Sequence, residues 1–147
     1  TVLARNPAER RTLSRAAPSP GQQTRSSEEI ETAISYILEH SAQPIRLTQL
    51  SALCGMEATA FSRFFKKQTG HTFARYVNCS RVHAACNLLA NSDMPITDIC
   101  FEVGFNNIAN FNRQFVKICG RSPSAYRRDA RRIGTTTRIE VLAEARL

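Results

Sequence analysis

The sequence predicts an all-α protein of seven helices, arranged as two helix-turn-helix subdomains on a long connecting helix. An internal repeat, apolar residues at helical spacing, and helix start and stop signals at matching places in both copies carry that prediction. Leu50, Gly55, Phe61, Arg63, Phe65, Gly70 and Tyr76 recur as Ile99, Gly104, Phe111, Arg113, Phe115, Gly120 and Tyr126. The offset is 49 residues up to the turn glycine and 50 from the phenylalanine onward. Each copy has a short apolar segment, a glycine turn, and a second helical segment with an arginine on its polar side. Two such units in a basic chain point to two elements reading one face of a DNA duplex.

The elements follow in order. Residues 1–26 are rich in Arg, Ser, Pro and Gln, and are expected to be a linker or disordered arm. Ser26 and Glu29 have the spacing of a capping box, so the first helix is expected to start there. Ile30, Ala33, Ile34, Ile37 and Leu38 then carry it to about Ser41, and Pro44 ends the connection. Thr48 is the expected N-cap of a short helix that turns Leu50, Leu53 and Cys54 inward. Gly55 supplies the turn, and a helix from about Ala58 to Thr69 buries Phe61, Phe64 and Phe65, with Gly70 closing it.

A long helix from about Phe73 to Ala90 buries Phe73, Val77, Ala84, Ala85, Leu88 and Leu89 and lends core to both lobes. Each lobe is too small to be comfortably stable alone. After the Asn91–Pro95 turn, Thr97 is the expected cap of a helix with Ile99, Cys100 and Val103 inward. Gly104 and a helix from about Asn107 to Cys119 follow, with Asn106 as its expected N-cap. Ser122 and Pro123 open the last helix, through Tyr126 to about Arg131. The domain is therefore bounded at 27–131, its helix-turn-helix units at about 48–69 and 97–119, with a tail over 132–147.

Charge narrows the function classes. The net charge of +8 suits a polyanionic partner. Residues 1–26 carry five Arg against one Glu, whereas residues 27–128 carry eleven basic against eight acidic residues. Affinity for DNA must then come from placement rather than bulk positivity. No run approaches the roughly 18 apolar residues of a membrane helix, so no membrane partner is expected. The N-terminal TVLARNPAERR lacks a signal-peptide core and an initiator Met. The expectation is a fragment or processed form of a cytoplasmic, nucleoid-associated protein. Five cysteines without a CxxC pair are expected to be buried and reduced, with redox sensing as the alternative. Cys79, His83 and Cys86 share one helix face but lack a fourth ligand, so neither metal nor cofactor is expected.

Subtracting the core from each second segment leaves the candidate readers. In the first, Thr59, Ser62 and Arg63 share a face, where Arg63 can bridge guanine O6 and N7. Lys66 and Lys67, a turn later, suit phosphate, as do Thr48 and Thr97 at the starts of the short helices. In the second, Asn107, Ile108, Asn110 and Arg113 are the base-facing candidates, with Asn106 at the helix start suited to phosphate. Asn110 can pair with adenine N6 and N7, and Ile108 can touch a thymine methyl. Tyr76 and Tyr126 are expected in the core, and Arg75 and Arg81 in ion pairs or loose phosphate contacts.

The segments LTQLSALCGMEATAFSRFFKKQTGHTFARYVNCSRVHAACNLL and PITDICFEVGFNNIANFNRQFVKICGRSPSAYRR resemble the AraC/XylS family of bacterial transcription regulators over about residues 28–128. The second carries the specific pattern GF-x5-F-x-R-x-F followed by G-x-SP-x-x-YR. The resemblance implies a homeodomain-like DNA-binding unit, active as a monomer, whose two recognition helices enter successive major grooves of double-stranded DNA. It also implies a sensor or dimerisation domain N-terminal to this one and contact with RNA polymerase. Two departures from the family pattern stand out: Glu57 where Ser usually opens the first recognition helix, and Ala109 in place of a common Ser.

Two other classes compete with this expectation. The family's domain also occurs fused to a cysteine-based DNA-repair activity, but no Cys–His–acid constellation accompanies it here, so no enzyme is expected. A helical interaction module contacting RNA polymerase or a regulator partner, with Glu28–Glu31 as the acidic contact to the polymerase, is the alternative reading.

Overall fold

The expected helices form, and they pack as two four-helix units that share the fourth helix. The computed structural model describes residues 19–133. Among these lie seven helices and no strand: α1 Pro20–His40, α2 Leu47–Leu53, α3 Ala58–Thr69, α4 Phe73–Asn91, α5 Ile96–Glu102, α6 Ile108–Cys119 and α7 Pro123–Ile133. Expectations for residues 1–18 and for the tail from 134 lie outside the described residues.

The first helix starts earlier than Ser26, so residues 20–26 are helix rather than linker. Ser19 is the N-cap, Pro20 stands at the first helical position, and Ser19 and Gln22 form the reciprocal capping box. Ser19 Oγ accepts from the Gln22 N–H at 3.4 Å, and Gln22 Oε1 accepts from the Ser19 N–H at 3.2 Å. Pro and Gly in this stretch read as a loop breaker, yet Pro at the first turn is preorganised for a helix. Ser26 is therefore mid-helix, and Glu29 pairs instead with Arg25 at 3.1 Å.

Two apolar clusters fill the units. The first gathers Ala33, Ile37, Leu50, Cys54, Phe61, Phe65, Tyr76 and Val77. The second is built from α4 residues Val82, Ala85, Cys86 and Leu89 with residues of α5, α6 and α7, including Ile99, Phe111, Phe115 and Tyr126. Helix α4 thus gives its first turns to one core and its later turns to the other. Its burial on several faces follows from that double duty, and the expected sharing of core is observed. Leu38 and Leu53 are corrections, being 58% and 50% exposed. Each lies at the edge of its helix's apolar stripe, one position from a residue that does reach the core, Ile37 or Cys54.

The repeat is also physical. Phe65 meets Tyr76 edge-to-face at 5.3 Å, and Phe115 meets Tyr126 the same way at 5.7 Å. In the turns, the Met56 N–H donates to Ser51 O at 2.8 Å and the Phe105 N–H to Cys100 O at 3.0 Å. An arginine in each unit ties the loop before the short helix to the helix that closes the unit. Arg81 donates to Ser41 O at 2.7 Å and Gln43 O at 3.0 Å, and Arg131 donates to Ser92 O at 3.1 Å. Arg81 also lies over the Phe105 ring at 5.7 Å, and burial pushes its pKa down. Its role is a carbonyl clamp, not the ion pair or phosphate contact expected of it. Arg127 clamps similarly, donating to Leu89 O, Ser92 O and Met94 O.

Cys79 and Cys86 are buried while His83 is exposed, and no group of three metal-ligating side chains occurs among the described residues. No described helix is long and apolar enough to cross a membrane.

Candidate nucleic-acid interface

Each candidate reading helix is anchored by a pair of phenylalanines one turn apart and presents its opposite side to solvent. In α3, Phe61 and Phe65 are fully buried, which leaves Thr59 and Arg63 exposed and Ser62 half-buried on the other side. Lys66 and Lys67 are exposed in its last turn, where cations also suit the helix dipole. Glu57 is the N-cap residue of α3, and its side chain makes no capping hydrogen bond. The carboxylate therefore stands at the entry of the first candidate reading helix, favourable for the dipole and unfavourable beside a phosphate.

In α6, Phe111 and Phe115 are fully buried, and Ile108, Ala109 and Arg113 are exposed near the leading end. The N-cap is Asn107, not the expected Asn106: Asn107 Oδ1 accepts from the Asn110 N–H at 2.9 Å. Two adjacent asparagines have equal capping chemistry. The choice is made by helix register, which the burial of Phe105 and Phe111 sets. Asn106 remains exposed just outside the helix, and the Asn107 side-chain oxygen is committed to the cap. Asn107→Ala should lower stability by about 1 kcal/mol, against less than ~0.5 kcal/mol for Asn106→Ala, measured by urea unfolding. Equal losses would reverse the assignment.

Asn110 and Arg113 are brought together as the spacing predicts, and more closely than spacing alone requires. Arg113 Nη2 donates to Asn110 Oδ1 at 2.8 Å. That bond takes one of the two lone pairs on the oxygen with which Asn110 would accept from adenine N6, and it ties the two side chains together. Asn110 thereby holds the Arg113 fork in place. Arg63 has no such partner among the described residues.

The starts of the short helices differ from expectation. Thr48 and Thr97 are exposed second residues of α2 and α5, whose N-cap positions belong to Arg46 and Pro95. At α2 the capping is done by Gln49, whose Oε1 accepts from the Arg46 N–H at 2.9 Å. Arg46 is itself exposed beside Thr48, a cation that sequence reasoning passed over. Its signal was present: a basic residue immediately before the short first helix of a helix-turn-helix unit. Ser122 caps α7 as expected, accepting from the Ala125 N–H at 3.2 Å.

The two candidate reading helices are joined through α4, whose 19 residues span about 28 Å at the α-helical rise. That scale is close to the roughly 34 Å between successive major grooves. The arrangement can place two exposed arginine-bearing helices against one face of a duplex.

A family described as a helix-turn-helix domain matches residues 50–129. The chain is 33% identical over 97 residues to the MmsAB operon regulatory protein of Pseudomonas aeruginosa, covering 66% of this chain and 32% of that protein. It is 31% identical over 98 residues to the regulatory protein SoxS of Salmonella typhimurium, covering 67% of this chain and 92% of SoxS. The chain thus spans about a third of the first relative and nearly all of the second. Among solved structures, the DNA-binding domain of AdpA, in complex with a target DNA, aligns with a TM-score of 0.66 at 27% identity. That alignment covers 70% of this chain and 93% of that one.

Proposed function

Because the chain belongs to the AraC-type helix-turn-helix family, we propose that it binds double-stranded DNA sequence-specifically and so regulates transcription, with α3 and α6 entering successive major grooves. The observation that carries this reading is the doubled frame. Arg63 and Arg113 stand at matching places on two helices, each pinned by buried phenylalanines and exposed on the opposite side. Thr59, Ser62 and Arg63 read one half-site, and Ile108 and Arg113 the other, with Asn110 supporting Arg113. Lys66, Lys67, Thr48, Thr97 and Asn106 face phosphates. The AdpA domain, aligned over most of its length, is a DNA-bound relative in fold.

The unequal side chains make the two half-sites unequal, so one monomer reads an asymmetric site of about two helical turns. Site selection from random duplexes, followed by footprinting, tests this. A palindromic site, or protection over a single turn, would overturn it. Because Lys66 and Lys67 serve phosphates, replacing both with Ala should weaken binding to all sequences alike. The slope of log K against log salt should fall by about 1–2, with discrimination between sites unchanged.

A second reading concerns a protein partner. Glu28, Glu31 and Glu39 of α1 border a groove of about 540 Å³ with Tyr36 and the exposed Leu53. An acidic rim around apolar side chains suits a basic protein surface, and RNA polymerase is the partner proposed for it. Binding in the absence of DNA, lost on charge reversal of Glu31 and Glu39, tests that contact.

A further inference from the structure

Cys86 of α4 and Cys119, the last residue of α6, lie with their sulfurs 3.7 Å apart. From this juxtaposition we infer that they form a reversible disulfide site, oxidised by a hydroperoxide, that locks the end of the second reading helix to the shared helix and weakens its hold on DNA.

The pair is not a consequence of the repeat. Cys119 occupies the place of Thr69 in the first unit, whose hydroxyl donates to Phe65 O at 2.8 Å and lies 3.0 Å from His71 O. There the position serves its own helix end. In the second unit a sulfur stands in that place, and its partner is a second sulfur across the core. Of the five cysteines, four are buried and Cys119 is the half-buried one, so a small oxidant meets it first. The hydrogen bond with Cys86 and the Arg121 guanidinium hold the Cys119 thiol below its ordinary pKa. The contact with Cys119 and burial hold Cys86 above its own. Cys119 is therefore the nucleophile and Cys86 the resolving thiol.

The chemistry balances. The Cys119 thiolate attacks one oxygen of the hydroperoxide, an S–O bond forms, the O–O bond breaks, and the leaving alkoxide or hydroxide takes a proton. Cys86 then attacks the sulfenic sulfur. An S–S bond forms, the S–O bond breaks, and the hydroxide leaves as water with the Cys86 proton. The two thiols lose two electrons and the hydroperoxide gains them. The sulfurs must close from 3.7 Å to the ~2.05 Å of a disulfide, drawing the end of α6 toward α4. Arg113 stands less than two turns from that end, so the displacement reaches the reading face. This last step rests on the DNA-binding reading above.

The test treats the protein with hydrogen peroxide, blocks remaining thiols with iodoacetamide after denaturation, and maps peptides by mass. The expected product is a Cys86–Cys119 linked peptide, with Cys54, Cys79 and Cys100 alkylated. Specific DNA affinity should fall about fivefold or more and return with dithiothreitol. Cys119→Ala should form no link and be insensitive to peroxide. Cys119→Ser, which restores the hydroxyl that Thr69 carries in the first unit, should behave the same while keeping the helix end. Alkylation of both Cys86 and Cys119 after peroxide overturns the site, and a linked peptide with unchanged DNA affinity overturns its coupling to DNA. Failure of the reduced protein to select any DNA site sinks the DNA-binding reading instead, and is told apart because the linked peptide is read without DNA.

Discussion

Replacing Gly104 with alanine is expected to destabilise the protein on the order of 4 kcal/mol, whereas Gly55→Ala should cost only about 1–2 kcal/mol. The two glycines hold the same place in the repeat and both have positive φ, +65° at Gly55 and +108° at Gly104. A Cβ in that region is strained at either position. Around Gly55 such a Cβ meets nothing within 4 Å. At Gly104 it falls 2.6 Å from Ser41 O, 2.8 Å from Arg81 Nε and 3.0 Å from Ala42 C. Two of these contacts are backbone of the loop after α1. The third is the guanidinium that the Ser41 and Gln43 carbonyls already hold. The second turn is thus wedged against the first unit, and an added methyl must push the units apart or break the Arg81 clamp. Denaturant unfolding of both variants measures the difference. Equal losses would mean that the close approach contributes nothing.

Arg113→Ala is expected to cost about 1–3 kcal/mol in specific binding, roughly fivefold to 150-fold in affinity, and to relax preference at the half-site read by α6. Arg63→Ala should do the same at the other half-site. Arg113 should be the more costly of the two. Its fork is held by Asn110 before DNA arrives, so less side-chain entropy is lost on docking. The bond between them makes a further prediction. Asn110→Ala should weaken binding, and Asn110→Ala combined with Arg113→Ala should cost less than the sum of the singles. Titrations at fixed salt against the selected site and one scrambled in each half check both statements. Additive losses would show Asn110 reading its own base, and unchanged discrimination in both arginine variants would remove the two-reader mechanism altogether.

Much of the fold was legible because its signals are local. The span of α3, its closing Gly70, and the Ser122–Pro123 start of α7 came from capping chemistry and spacing, which need no knowledge of distant residues. The start of α1 was placed too late, at Ser26: the Ser26–Glu29 pair has the same capping spacing as Ser19 and Gln22, where proline stands at the first turn. The same degeneracy separates Asn106 from Asn107. Leu38 and Leu53 show the limit of periodicity: the apolar stripe is read correctly, but its edge is set by what packs against it.

Local chemistry along the chain was enough to specify the helices, the repeat and the face on which Thr59, Ser62, Arg63, Ile108, Asn110 and Arg113 would lie. Those follow from backbone geometry, since a helix that buries Phe61 and Phe65, or Phe111 and Phe115, has only one side left to expose. What equal residues do in unequal surroundings was settled by packing. Gly55 is open where Gly104 is wedged, Thr69 serves its own helix where Cys119 meets Cys86, and Arg113 rests on Asn110 where Arg63 has no such partner among the described residues. The repeat duplicates the chain's local instructions. The shared helix α4 gives each copy a different neighbour, and contact with neighbours far along the chain is what local patterning cannot encode.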